Sequence, residues 1–417
     1  MQLKFLPQLV FSVLCFMVIA LLWGHNSPSS EVAVVRLGNP LADDGKKGRS
    51  LNVWDLQVFD GKIYVGGGDT SKNVGPMNVW AYDPATTSFI KEANVAEEAI
   101  LQYKVIDDQL YIPAADPRGN DNSKFYRLSA GGEWEKFTDK SLKLAHIRDL
   151  IKVNNKLLLV GNSRPAIKDE KVVQGAVITD SDQVSFRPVT VDNLPDTGNV
   201  SFLGFDWFFT VFAFQNKIFA PNAFLRDTGG YPGSIAVYNP QIERLALDFK
   251  LGSEEFIPQA NIDPQNGKHG VDTIYQIWQP LVYQDHLVYT ARSFSNAVDP
   301  RKAYQLYFNS LGVYLKPDLG VSPQEIRLPH QAIGENLLLI EDELYLLANR
   351  KRGTKFTIYV YKTNQIAKHN WTEVLSFSSS NKARSFEYLD GDFYFGLGQD
   401  FGEAIANSGD ILRYTLP

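Results

Sequence analysis

Six arginines, Arg118, Arg164, Arg226, Arg292, Arg350 and Arg352, fall five to eight residues beyond one apolar position of a recurring pattern. Seven repeats and four offsets give 28 such positions. With 16 arginines in 417 residues, composition alone would place roughly one there. A guanidinium presents five donors in a planar fork that matches a carboxylate, sulfate or phosphate. Arg118, Arg164, Arg226, Arg292 and Arg350 are therefore the candidate ligand-binding residues, expected to crown one face and hold an acidic ligand. Loop arginines also pair with neighbouring acids or cover aromatic rings. Asp69, Asp116, Asp227 and Asp400 stand close enough in sequence for that. His146, with Arg148 and Asp149 beside it, could serve as a general base with an acid at hand. His146 and Asp149 are the weak catalytic candidates. A lone histidine in such a segment is more often a satisfied structural residue, and His330 falls under the same rule.

The segments leading into each repeat also carry Trp54 with Asp55, Asp206 with Trp207, Gln276 with Trp278, and Arg384. Indoles there either pack or offer a stacking platform for a sugar. No two histidines have metal-ligand spacing. Asp116 to Asn122 supplies oxygens without the spacing of a calcium loop. No metal and no cofactor are expected.

The elements that must position these residues form a repeat: an apolar strand, a polar pair, then a second apolar strand. The copies are Val58 to Val65, Val105 to Ile112, Lys152 to Leu159, Ala213 to Phe219, Val282 to Val288, Leu339 to Tyr345 and Tyr388 to Tyr394. Asp60-Gly61, Asn154-Asn155 and their relatives suit two-residue hairpins, whose positive φ favours Gly, Asn and Asp. The anchors Ile63, Leu110, Leu157, Ile218, Leu287, Leu344 and Phe393 are 47, 47, 61, 69, 57 and 49 residues apart. A four-stranded propeller blade takes about 40–50 residues. The fold expected is all-β: a seven-bladed β-propeller over 31–417, with six blades and a stray hairpin as the alternative. The last repeat has three strands of its own. Glu31–Leu37 is expected to supply the fourth beside Asp410–Leu416 and so close the ring.

Lys62 to Gly68, followed by Trp80 to Phe89 with Tyr82-Asp83-Pro84, resembles a kelch repeat, and Val237-Tyr238-Asn239-Pro240 echoes it. Ser129 to Trp134 resembles the Asp-box of sialidase-type propellers, with Ala130 where the defining Asp would stand. The resemblance implies the propeller fold and no particular chemistry. Copper oxidases resembling galactose oxidase need a cysteine beside the metal, and the one cysteine, Cys15, precedes the domain.

Residues 1–30 read as a signal peptide or signal anchor plus linker: Lys4, an apolar run from Phe5 to Trp23, then polar His25 to Glu31. An N-terminal hydrophobic helix is expected there. The propeller would then lie outside the cytoplasm: periplasmic, extracellular, or anchored to the membrane facing outward. A net charge of −6 argues against a nucleic-acid partner. Three functions remain open: a module binding an acidic glycan or other anion, a hydrolase or polysaccharide lyase acting on such a glycan, and a scaffold for a protein partner.

Overall fold

The computed structural model describes residues 33–42, 51–68, 75–114, 124–138, 144–163, 176–180, 185–192, 208–221, 224–225, 235–248, 256, 273–297, 305–398 and 406–416. The expected export helix over 1–30 lies outside the described residues. The fold is an all-β propeller. Each repeat's two-residue turn closes as expected, with Phe59 opposite Lys62, Ile106 opposite Gln109, Val153 opposite Lys156 and Phe214 opposite Lys217. Tyr283 opposite His286, Ile340 opposite Glu343 and Leu389 opposite Asp392 complete the set. Asp60, Asp107, Asn154, Asn216, Asp285 and Asp390 take positive φ in these turns, as hairpin twist requires.

Five sheets stand alone as blades among the described residues. The first is Val53–Phe59, Lys62–Gly67, Met77–Asp83 and Ser88–Val95; the second is Lys104–Ile106, Gln109–Pro113, Lys124–Leu128 and Trp134–Thr138. The fifth repeat forms Thr273–Tyr283, His286–Ala297, Gln305–Lys316 and Gln324–Ile326, with the short Phe224–Leu225 added at its inner edge. The sixth forms Ile333–Ile340, Glu343–Arg352, Lys355–Thr363 and Thr372–Ser379. The seventh is Lys382–Leu389, Asp392–Gly398 and Ile411–Thr415, completed by Val35–Gly38 from the start of the domain. That last strand pairs antiparallel with Ile411–Thr415, and Arg36 holds Asp410 at 2.7 Å.

The third and fourth repeats do not form separate sheets. Leu144–Val153, Lys156–Ser163, Ala176–Thr179 and Phe186–Asp192 continue into Arg244–Asp248, Ile235–Asn239, Lys217–Pro221 and Phe212–Phe214, making one eight-stranded sheet. The join is a parallel pairing of Thr190–Asp192 with Arg244–Ala246, reinforced by Arg244 on Asp192 at 2.7 Å. The expected seven blades, and the alternative of six with a stray hairpin, are both corrected: five blades stand among the described residues, beside the one eight-stranded sheet. The physical reason is that two outer edges found backbone partners in each other rather than in water.

The first strand of each repeat packs against its neighbours: first against seventh, sixth against seventh, second against third, fourth against fifth. The first strands thus gather round a common axis. Apolar side chains fill the wedges between sheets, for example Leu56, Tyr64, Tyr103 and Leu110 between the first and second repeats. Direct bonds stitch neighbours together. Asp55 accepts the Tyr103 N–H at 2.7 Å, and Asp149 accepts the Val211 N–H at 3.0 Å, the same contact one pair of blades further on. Asn349 donates to the Ala383 carbonyl and accepts from its N–H, at 2.8 and 2.9 Å.

Candidate functional site

One position in every repeat lies nine residues before the anchor: Trp54, Leu101, Arg148, Phe209, Trp278, Glu335 and Arg384. In four first strands the pairing register skips that residue, which is Trp54, Arg148, Glu335 or Arg384. The first strand of the fifth repeat breaks register just after Trp278. An extra residue in one strand of an antiparallel pair turns its side chain out of the regular alternation. In five of the seven repeats the bulge therefore turns one side chain out of the regular alternation, and the side chains at this position meet across the axis. The close strand approach there also explains a glycine. A Cβ on Gly161 would meet the His146 carbonyl oxygen at 1.8 Å.

The side chains from this layer meet in two groups. Trp54, Leu101 and Trp278 pack together with Ala99, although they come from the first, second and fifth repeats. Beside them a polar cluster centres on Glu335. Lys382 Nζ lies 3.3 Å from one carboxylate oxygen, and Arg292 and Arg384 approach the other at 3.4 and 3.9 Å. The Ser310 hydroxyl also donates to Glu335. The guanidinium of Arg292 lies over the Trp278 ring at 4.4 Å, and that of Arg384 over Trp54 at 4.3 Å. All four charged groups are buried: Arg384 is 1%, Arg292 and Glu335 2%, and Lys382 4% exposed. Burial alone would raise the Glu335 carboxyl, but Lys382, Arg292, Arg384 and the Ser310 hydroxyl outweigh it and hold it at about 2. Two further buried donors, Gln276 Nε2 and Trp278 Nε1, find no hydrogen-bond partner among the described residues.

Two acids on the same side of the ring behave oppositely. Burial pushes Asp55 up to about 7, against the opposing pull of the Tyr103 N–H, Lys104 and Arg292. Glu387 rises to about 8 through burial and the nearby Asp55, opposed by the backbone N–H groups of Tyr388 and Val58. Gln57 Nε2 stands 3.5 Å from Glu387.

Arg292 belongs to this cluster, built into the channel wall rather than crowning a mouth. Arg350 lies elsewhere, half-buried on the second strand of the sixth blade opposite Thr357. Arg118, Arg164 and Arg226 lie outside the described residues, as do Asp206 and Trp207. His146 is half-buried, its backbone opposite Asn162. Asp149 is fully buried and committed to structure: it takes the Leu150 and Val211 N–H groups and the Thr210 hydroxyl, with Lys104 at 3.1 Å. His330 stacks on Tyr359 at 5.1 Å and reaches Glu373 at 3.1 Å. Sequence reasoning missed Glu335, Lys382 and Ser310. The nine-residue offset would have found Glu335, because it is the same regularity that places Trp54, Trp278 and Arg384.

No family model matches the chain, and no curated protein matches it. Among solved structures it is similar to virginiamycin B lyase from Staphylococcus aureus, at 11% identity and TM-score 0.47, over 92% of this chain and 99% of that one. It is similar to an ulvan lyase, described as a new family of polysaccharide lyase and bound to -[GlcA(1-4)Rha3S]-, at 10% identity and TM-score 0.48, over 92% and 94% of the two chains. A third is the β-propeller domain of the Trilobed protease from Pyrococcus furiosus, at 10% identity and TM-score 0.43, over 83% and 90%.

Proposed function

We propose that this protein is an extracytoplasmic β-propeller that binds an acidic ligand, a glycan bearing carboxylate or sulfate groups, at the basic cluster on its axis. The observation that carries the reading is the convergence of Arg292, Lys382 and Arg384, from the fifth and seventh repeats, on a single carboxylate flanked by two indole faces. Guanidinium groups held over indole rings are preorganised for planar anions. Gln276 and Trp278 add buried donors, which suit a ligand rich in acceptor oxygens. The apolar run at Phe5–Trp23 carries the domain across the membrane, leaving it anchored or released outside.

One observation favours a second reading, a protein-interaction scaffold. Glu335 already engages all three cations, and the cluster is buried. Titrating the purified full chain with polygalacturonate and with uncharged dextran separates the two. Saturable binding of the polyuronate alone, weakened by Lys382→Gln with an unchanged fold, supports the anion site. Equal behaviour towards both polymers leaves the scaffold.

A further inference from the structure

The face carrying the two-residue turns has a chemistry of its own. Five residues before each anchor, where the first strand approaches its turn, the repeats place Val58, Val105, Lys152, Ala213, Val282, Leu339 and Tyr388. Val105 is 43%, Val282 49% and Leu339 47% exposed, while Ala213 is also exposed and Val58 and Tyr388 are half-buried. Because the first strands pack round a common axis, these side chains form a rim on one end of it that is apolar except at Lys152, which pairs with Asp107. A solvent-facing strand position normally carries a polar residue. Repetition of an exposed aliphatic at one position of several blades marks a contact surface.

The turns round this rim are acidic. Five of the seven carry at least one carboxylate: Asp60, Asp107 with Asp108, Asp285, Glu341 with Asp342, and Asp390. None of the fourteen turn positions is basic. Hairpin geometry explains a preference for Asp, Asn or Gly at positive φ, but it does not choose acid over amide. It does not explain Glu341 at all, which sits at φ 53° without the short side chain that eases this conformation.

We infer that the turn face is a docking surface for a protein segment that presents an aliphatic side chain flanked by lysine or arginine. The aliphatic group enters the rim at Val105, Val282 and Leu339, and the basic flanks meet Asp285, Glu341 and Asp342, whereas Asp107 is already held by Lys152. An anionic bilayer fits worse, because the same carboxylates would face its headgroups. The site is independent of the basic cluster, and a basic segment is repelled by Arg292, Lys382 and Arg384.

The test uses the full chain and a fluorescent synthetic peptide of alternating leucine and lysine. Anisotropy should report saturable binding that Val282→Glu with Leu339→Glu weakens about tenfold or more. A second variant, Asp285→Lys with Glu341→Lys, should weaken it similarly, and the thermal melts of both should match that of the parent. A peptide of alternating leucine and glutamate should not bind. Equal binding of the two peptides, or binding unmoved by either variant, overturns the inference. So does flotation of the chain with phosphatidylglycerol vesicles that Val282→Glu with Leu339→Glu abolishes, since the surface would then serve a membrane.

Discussion

Replacing Glu335 by Gln removes a charge and almost nothing else. In the folded protein the carboxyl is held at about 2, against an ordinary value of 4.5. That difference already includes the cost of burial, and at about 1.4 kcal/mol per pKa unit it corresponds to about 3 kcal/mol. The group is buried, so solvent screening does not erode the figure. Because the folded value is depressed, the contribution is complete above pH 4.5 and is lost as pH falls towards about 2. Glu335→Gln also leaves Arg292, Lys382 and Arg384 facing one another, and removing one partner of a buried ion pair typically costs about 3–5 kcal/mol. Urea unfolding at pH 7 should therefore show the variant destabilised by about 3 kcal/mol, with the gap narrowing as the pH is lowered. The same variant should bind acidic ligands more tightly, since the internal competitor for the cations is gone. Equal stability of the two proteins at pH 7 would refute the electrostatic account of the cluster.

Asp55 and Glu387 predict the opposite pH dependence. Their folded values are raised, so the stability they allow is complete below the ordinary carboxylate range and is lost as pH rises through about 7 and about 8. Asp55→Asn keeps an oxygen for the Tyr103 N–H and should flatten the decline in melting temperature between pH 5 and pH 8; a decline parallel to the parent's would count against this. Asn349→Ala breaks both bonds to Ala383 and should cost about 1–3 kcal/mol in chemical unfolding. Removing residues 33–38 leaves Ile411–Thr415 as an open edge and should destabilise the whole domain rather than one blade, visible as a single lowered transition in calorimetry.

The repeat was legible in the sequence because hairpin turns have local chemistry. Asp60-Gly61 and Asn154-Asn155 state their φ requirement in the residues themselves, and strand alternation on either side does the rest. Closure by the N-terminal strand was legible for a related reason: a seventh repeat with three strands needs a fourth. The fusion of the third and fourth sheets was not legible. It depends on Thr190 and Arg244 lying edge to edge, a contact between segments about fifty residues apart with no local signature. Counting forward from the anchors singled out five arginines and treated them all as loop residues; Arg118, Arg164 and Arg226 lie outside the described residues. Arg292 sits five residues beyond Leu287, still inside a long strand that runs to Ala297, and so it faces the wall. Glu335 and Lys382 escaped because each is unremarkable in sequence. Glu335 takes its meaning from the bulge that turns it inward, and Lys382 from its place two residues before the bulged Arg384 on the same strand.

Binding of an acid group by Arg292 and Arg384 on the propeller axis is measured most directly as the affinity of the full chain for polygalacturonate, as a function of salt, in the parent, Arg292→Lys and Arg384→Lys. Lysine keeps the charge but loses the planar fork and its stacking on Trp278 and Trp54. Binding should be salt-sensitive in the parent and fall about tenfold, or about 1.4 kcal/mol, in each variant while both remain folded. Polyuronate affinity that neither substitution changes would contradict it.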